Sequence, residues 1–211
     1  TDVHIWDWNE WAQGRIKVPQ TMGHELAGEV VEVGQGVTSL KIGDYVSSET
    51  HIPCGKCYLC KTGNMHICLD MKILGVDSDG AFAEYILVPE VVAWKNDRAI
   101  EPGMAAIQEP LGNAYDTVFS ESVVGKSVLV IGVGPIGMMA IKLCRLAGAT
   151  DIIASDVIPY RLQKAKEMGA DLTINDKEEN LKEIVMERTK GTGVDVLLEI
   201  SGNEKALAKG L

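Results

Sequence analysis

Basic residues are in deficit. Lys and Arg number 20 against 30 Asp and Glu, a net charge of −10, whereas a surface that grips phosphate backbones needs clustered cations. No nucleic-acid partner is expected, and the acidic surplus otherwise suggests only solubility. No apolar run is long enough to span a bilayer. The most apolar stretch, 127–144, is broken by glycines, Pro135 and Lys142, so no membrane partner is expected either. Signal-peptide patterns, internal repeats and low-complexity tracts are not visible. Cysteine is scarce, five in all, and four of them fall between residues 54 and 68. That is a metal-site pattern more than a disulfide framework, and it predicts a reducing, cytoplasmic location. The 211 residues allow one or two domains. The chain opens on Thr1 rather than Met and reads as a fragment of a fold incomplete at both ends.

What is present is organised around residues 127–156. Val128 to Ile131 is a short β-branched and aliphatic run, as in a strand buried on both faces. Gly132, Gly134 and Gly137 follow with the G-x-G-x-x-G spacing. The first suits the tight turn, the second the close approach of a pyrophosphate, the third the packing of helix on sheet. The helix N-terminus then offers free N–H groups to phosphate, with Ile136 adding a backbone N–H and an apolar contact. A second strand, Ile152 to Ser155, ends in Asp156. An acid there bonds a ribose 2′-hydroxyl and repels a 2′-phosphate, which favours NAD over NADP. Strands at Leu172–Ile174 and Val194–Ile200 alternate with helices at 158–168 and 178–189. Gly169 sits at a helix C-cap, and the whole predicts a parallel α/β sheet of about four strands.

Cys54, Cys57, Cys60 and Cys68 are the second strong signal. Four thiolates at these spacings can close a tetrahedral shell around zinc, which leaves no position for substrate and makes the ion structural. An iron–sulfur cluster fits less well, because seven residues precede the last Cys and Leu69 follows it. Free or disulfide-bonded cysteines are the third option. Cys144, in the helix after the glycine turn, reads as a small buried apolar residue. His66 reads as a packing or hydrogen-bonding residue rather than a further ligand.

Elsewhere the signals are local. Trp6, Trp8 and Trp11 are expected to pack a loop against the domain, ahead of the alternative that they touch substrate. Gly23-His24-Glu25 precedes a strand-like run, Leu26 to Val33. A turn at 42–44 leads into another strand, and Ala81 to Val88 reads as a strand ended by Pro89. Short strands with glycine turns suggest a small β-barrel. A helix is expected near Met104–Gln108, broken at Glu109-Pro110 and resumed to about Ser120. Glu109 alone reads as a surface carboxylate at that break, and His24 alone as a structural histidine.

Taken together, Thr1-Asp2-Val3-His4-Ile5, the Trp8–Gln13 segment, Gly23-His24-Glu25, the cysteine lobe, Gln108-Glu109-Pro110-Leu111-Gly112-Asn113-Ala114 and the glycine turn resemble the zinc-dependent medium-chain dehydrogenases, across essentially the whole chain. The resemblance implies a GroES-like catalytic domain at 1–119 with its zinc lobe at 51–70, and a Rossmann NAD-binding domain at 120–211. It implies a catalytic zinc held by a Cys, by His24 and Glu25, and by Glu109, unless Glu109 supports the proton relay without touching metal. The family's Cys lies two residues ahead of the Thr, outside this chain, so about one tightly held zinc is expected for the 211 residues.

The tryptophan segment and Gly112-Asn113-Ala114 point, within the family, to oxidation of L-threonine at C3 to 2-amino-3-oxobutanoate. Zinc would act as a Lewis acid on the 3-hydroxyl, and the alkoxide carbon would give hydride to NAD. The resemblance assigns the departing proton to a relay from Thr1 through the cofactor ribose to His4, residue types suited to the task. It also places Arg161 beside the adenosine ribose and implies a homotetramer. His51, just ahead of the lobe, is a candidate contact for the amino-acid substrate. A polyol or secondary-alcohol dehydrogenase is the alternative within the family. For the fragment itself the alternative is a module that binds NAD and structural zinc without catalysis.

Overall fold

The computed structural model describes residues 1–211 as two compact units, Thr1–Glu109 and Pro110–Leu211. No helix is long and apolar enough to cross a membrane. The first unit begins with two short helices, α1 (Asp2–Trp6) and α2 (Glu10–Arg15). Asn9 caps α2 by accepting the Ala12 N–H at 3.0 Å. Ile5, Ala12 and Ile16 bury themselves with Val76. Strands β1 (Ala27–Glu29), β2 (Tyr45–Ser48), β3 (His51–Ile52), the short helix α3 (Tyr58–Lys61), β4 (Lys72–Ile73), β5 (Ala93–Lys95) and helix α4 (Pro102–Ala106) follow. The strands form an antiparallel sheet in the order β1-β2-β5 and a β3-β4 ribbon.

Three expectations for this unit are corrected. The strand foreseen at 26–33 pairs only over Ala27–Glu29. The strand foreseen at 81–88 does not form. Ala81 and Phe82 donate to the carbonyls of Gly23 and Met22, after which Tyr85 and Leu87 stand 73% and 90% exposed with no strand alongside. The tryptophans do not pack down, since Trp6 is 82% exposed and Trp8 and Trp11 are each 41% exposed. Ile5 and Ala12, on the other faces of the same helices, do the burying.

The second unit holds most of α5 (Gln108–Phe119), then β6 (Ser127–Ile131), α6 (Pro135–Leu146), β7 (Asp151–Asp156), α7 (Pro159–Met168), β8 (Leu172–Asn175), α8 (Leu181–Arg188), β9 (Val196–Glu199) and α9 (Glu204–Gly210). The break foreseen at Glu109-Pro110 lies instead at Ile107. Pro110 sits inside the first turn of α5, where its missing N–H has no intrahelical acceptor to lose. Ala114 and Val118 join the core built by Val128, Val130, Ile141 and Ile152. Residues 110–119 therefore pack with the second unit, ten positions ahead of the boundary read from sequence.

The sheet is parallel, in the order β8-β7-β6-β9. Its β6 and β7 are buried along almost their whole length because α6 and α7 cover one face and α8 and α9 the other. Gly169 ends α7 in the left-handed region, at φ 119°. The β6–β7 register puts Ile131 opposite Ser155, so Gly132 and Asp156 emerge side by side at the carboxyl edge of the sheet.

Candidate metal centres and nucleotide cavity

The cysteine lobe is built by α3 and the turns that flank it. Cys57 caps α3, its sulfur accepting the Cys60 N–H. The Cys57 and Cys60 sulfurs lie 3.5 Å apart and those of Cys57 and Cys68 3.9 Å. All four Sγ atoms fall within 4.8 Å of one another. Zn–S bonds of about 2.3 Å at tetrahedral angles place sulfurs about 3.8 Å apart, so the spacing fits one ion. It is far too long for a disulfide, whose sulfurs sit about 2.05 Å apart.

Backbone N–H groups aim at these sulfurs, from Cys54 and Asp70 to Cys68 and from Cys57 to Cys54. Those of Cys60 and Leu69 bring the Cys57 thiol down to about 6. Burial pushes the Cys60 thiol up to about 12. A cation is what would let all four ionise together. His66 stands outside the donor set, as read, but it is exposed rather than packed. Cys144 is fully buried within α6, as expected of an apolar side chain.

A second donor set lies in the same unit. His24, Glu25 and Glu109 bring one ligand atom each within 4.8 Å of the others. His24 is positioned by a close backbone approach: a side chain at Gly80 would have its Cβ 2.1 Å from the Gly23 carbonyl oxygen. Glu109 is positioned by a chain of polar bonds. Gln108 donates to Asn96 Oδ1 at 2.8 Å, Asn96 Nδ2 to Ser47 Oγ at 2.7 Å, and Ser47 Oγ to the Ala105 carbonyl at 2.7 Å.

His24 is 7% exposed, and its Nδ1 has no aligned hydrogen-bond partner. The Asp2 carboxylate lies 3.3 Å from that nitrogen and also accepts the Gly23 N–H. An imidazole beside the carboxylates of Glu25 and Glu109 suits a divalent cation. Asp2 was not among the residues singled out in sequence. Its proximity to His24 is tertiary, and the only local hint was its place between Thr1 and His4.

Thr1 is the exposed residue ahead of α1, and His4 lies exposed within it. His51, on β3, belongs to a third group with Glu49 and Glu109. Its hydrogen bond from ring to Glu49 holds the imidazole above the usual histidine range, despite partial burial and with a smaller push from Glu109.

In the second unit a cavity of about 520 Å³ opens at the carboxyl edge of the sheet, lined by Gly132, Gly134, Asp156, Arg161, Ser201 and Lys205 among others. Gly132 has φ 85°. A Cβ at Gly137 would meet the Gly132 carbonyl oxygen at 2.1 Å, while one at Gly134 would meet nothing within 4 Å. Protein contacts account for two of the three glycines; at Gly134 the bare backbone faces the cavity, as a cradle for pyrophosphate requires. Ile136 lies in the first turn of α6. Asp156 takes the N–H of Val133 on one oxygen and those of Val157 and Ile158 on the other. Arg161 reaches the same carboxylate at 3.6 Å.

Residues 1–98 match the alcohol dehydrogenase GroES-like domain and residues 135–211 the zinc-binding dehydrogenase family. Both units of the chain are thus similar to zinc-binding alcohol dehydrogenases. The chain is 58% identical to the L-threonine 3-dehydrogenase of Caldanaerobacter subterraneus and 56% identical to that of Pyrococcus abyssi, in each case over its whole length and 61% of the relative's. The chain thus spans about three fifths of these relatives. Among solved structures, an alcohol dehydrogenase (rspB) of Escherichia coli CFT073 in complex with NADH superposes with a TM-score of 0.89 at 32% identity, covering 99% of this chain and 60% of that one.

Proposed function

We propose that the whole protein oxidises L-threonine at C3 to 2-amino-3-oxobutanoate with NAD as hydride acceptor. The observation that carries the reading is the convergence of His24, Glu25 and Glu109 on one point, in a chain 56% identical to an L-threonine 3-dehydrogenase. Bound there, zinc would supply Lewis acidity that makes a secondary hydroxyl easier to deprotonate. Everything else falls to the chain's own side chains. His24 and Glu25 hold the metal. Glu109 either completes the donor set or steadies it from behind. The Asp2 carboxylate, 3.3 Å from Nδ1, stands where a carboxylate behind a metal-binding histidine does. Thr1 and His4 carry the substrate proton toward solvent, and His51 contacts the amino-acid head group.

On the nucleotide side, Gly132, Gly134, Ile136 and Gly137 seat the pyrophosphate. Asp156 and Arg161 hold the adenosine ribose, and the anchored carboxylate disfavours a 2′-phosphate. Cys54, Cys57, Cys60 and Cys68 hold a structural zinc. The homotetramer that the resemblance implies is open to light scattering on the whole protein.

The test is NAD reduction by the whole protein with L-threonine, sorbitol and 2,3-butanediol in parallel. L-threonine is expected to be the preferred substrate. Turnover of a polyol alone would move the assignment to the alternative within the family.

A further inference from the structure

Resting on the reading of His51 as a substrate contact, we infer that Glu49 is a positioning residue. It holds the His51 ring so that Nε2, and not Nδ1, is offered to the head group of the substrate. One Glu49 oxygen accepts the His51 backbone N–H at 2.8 Å, and the other lies 2.6 Å from His51 Nδ1. A single carboxylate therefore grips both the backbone and the ring of the residue two positions on.

The backbone beneath this grip is fixed as well. Glu49 donates its N–H to the Val92 carbonyl at 2.9 Å, and Leu74 donates to Thr50 at 3.0 Å. His51 itself pairs with Ile73 in the β3-β4 ribbon. An ionised carboxylate can only accept, so the ring nitrogen facing it must carry a proton, and Nε2 is what remains for a ligand. Glu109 completes the group within 4.8 Å, which sets the ring beside the donors proposed for the catalytic metal. A second cation site is the competing use of this cluster. It would have to strip both Glu49 oxygens of the bonds they already make.

Three measurements on the whole protein test the inference. At alkaline pH, long-range ¹H–¹⁵N NMR should find the neutral His51 ring protonated on Nδ1, and Glu49→Gln should erase that preference. In steady-state assays Glu49→Gln should raise KM for L-threonine about tenfold, the scale of a lost bond to a charged group. The turnover number, KM for NAD and zinc content should stay where they were. In a His51→Ala background the same change should do nothing more, because the two residues act as one unit.

A wild-type ring protonated on Nε2 would overturn the inference. So would a Glu49→Gln effect that adds to His51→Ala, a parallel fall in turnover and NAD affinity, or the loss of a zinc equivalent. A wild type inert toward L-threonine but active on a polyol sinks the substrate reading and this inference with it. Each of the other adverse results sinks the inference alone.

Discussion

Asn9 and His4 are joined by a 3.0 Å contact between the Asn9 side-chain nitrogen and His4 Nδ1. The amide cannot turn over without loss, because its oxygen accepts the Ala12 N–H and caps α2. Nδ1 of His4 is therefore the accepting nitrogen in this arrangement, and Nε2 carries the ring proton. Asn9→Ala removes cap and contact together and should destabilise the first unit by about 1 kcal/mol. Asn9→Ser keeps a cap but is too short for His4, and it should restore most of that stability. Thermal unfolding of the two variants separates the roles, and equal losses would show that the cap contributes little.

Cys60 and Cys144 are both buried, yet they should answer oppositely to serine. Cys60→Ser removes one of four converging sulfurs, and metal analysis of the 211-residue chain should show the lobe's zinc lost or readily chelated. Cys144→Ser leaves zinc untouched. It buries a hydroxyl among apolar neighbours and should lower stability by roughly 1–3 kcal/mol. Zinc content unchanged in Cys60→Ser would remove the case for a structural ion.

The second unit was the more legible because its signals are local. Val128–Ile131 announces a buried strand, the glycines its turn, Asp156 the end of the next strand and Gly169 the end of α7. In the first unit, tertiary context decides more. Phe82, Tyr85 and Leu87 have the composition of a strand, but composition does not create the neighbour a ladder needs. Pro110 looks like a helix breaker, yet it is tolerated three residues into α5. The tryptophans are the largest apolar side chains at 1–16 but stay exposed, while the smaller Ile5 and Ala12 are buried; Asn9 ahead of Glu10 is a fair N-cap signal for α2. Asp2 is invisible as a neighbour of His24 because the chain has to fold back to bring them together, whereas Glu49 touches His51 only two positions on, a contact that no spacing rule announces. His24, Glu25 and Glu109 stood out in sequence only through a family likeness, and the fold brings them within reach of one ion.

Gly134 and Gly137 separate ligand from fold. A methyl at 137 would press on the Gly132 carbonyl oxygen, whereas one at 134 would meet no protein atom. Gly137→Ala should unfold at clearly lower temperature than wild type. Gly134→Ala should melt normally but bind NAD at least tenfold more weakly, its methyl standing where the pyrophosphate approaches. Calorimetric titration with NAD alongside thermal melts tests both. Normal NAD affinity in Gly134→Ala would move the dinucleotide away from this turn.

Asp77 ties α2 to the loop after β4, and it should make part of the first unit's stability depend on pH. Burial alone would raise its carboxyl, but Arg15 and the Ile73 N–H outweigh that and hold it below the usual aspartate range. Arg15 grips both oxygens, at 3.1 and 2.6 Å. A carboxyl whose folded value is depressed stabilises the fold fully above its unfolded value, near about 4, and the benefit disappears as pH falls through the folded value. Asp77→Asn should thus be less stable than wild type by about 1 kcal/mol or less near neutral pH, the pair being partly exposed to solvent. The gap should hold down to about pH 5 and close in more acid solution, because the wild type then loses what the variant never had. Unfolding curves for both proteins across that range give the answer. A gap that widens with acid would mean that Asp77 is not held ionised by Arg15.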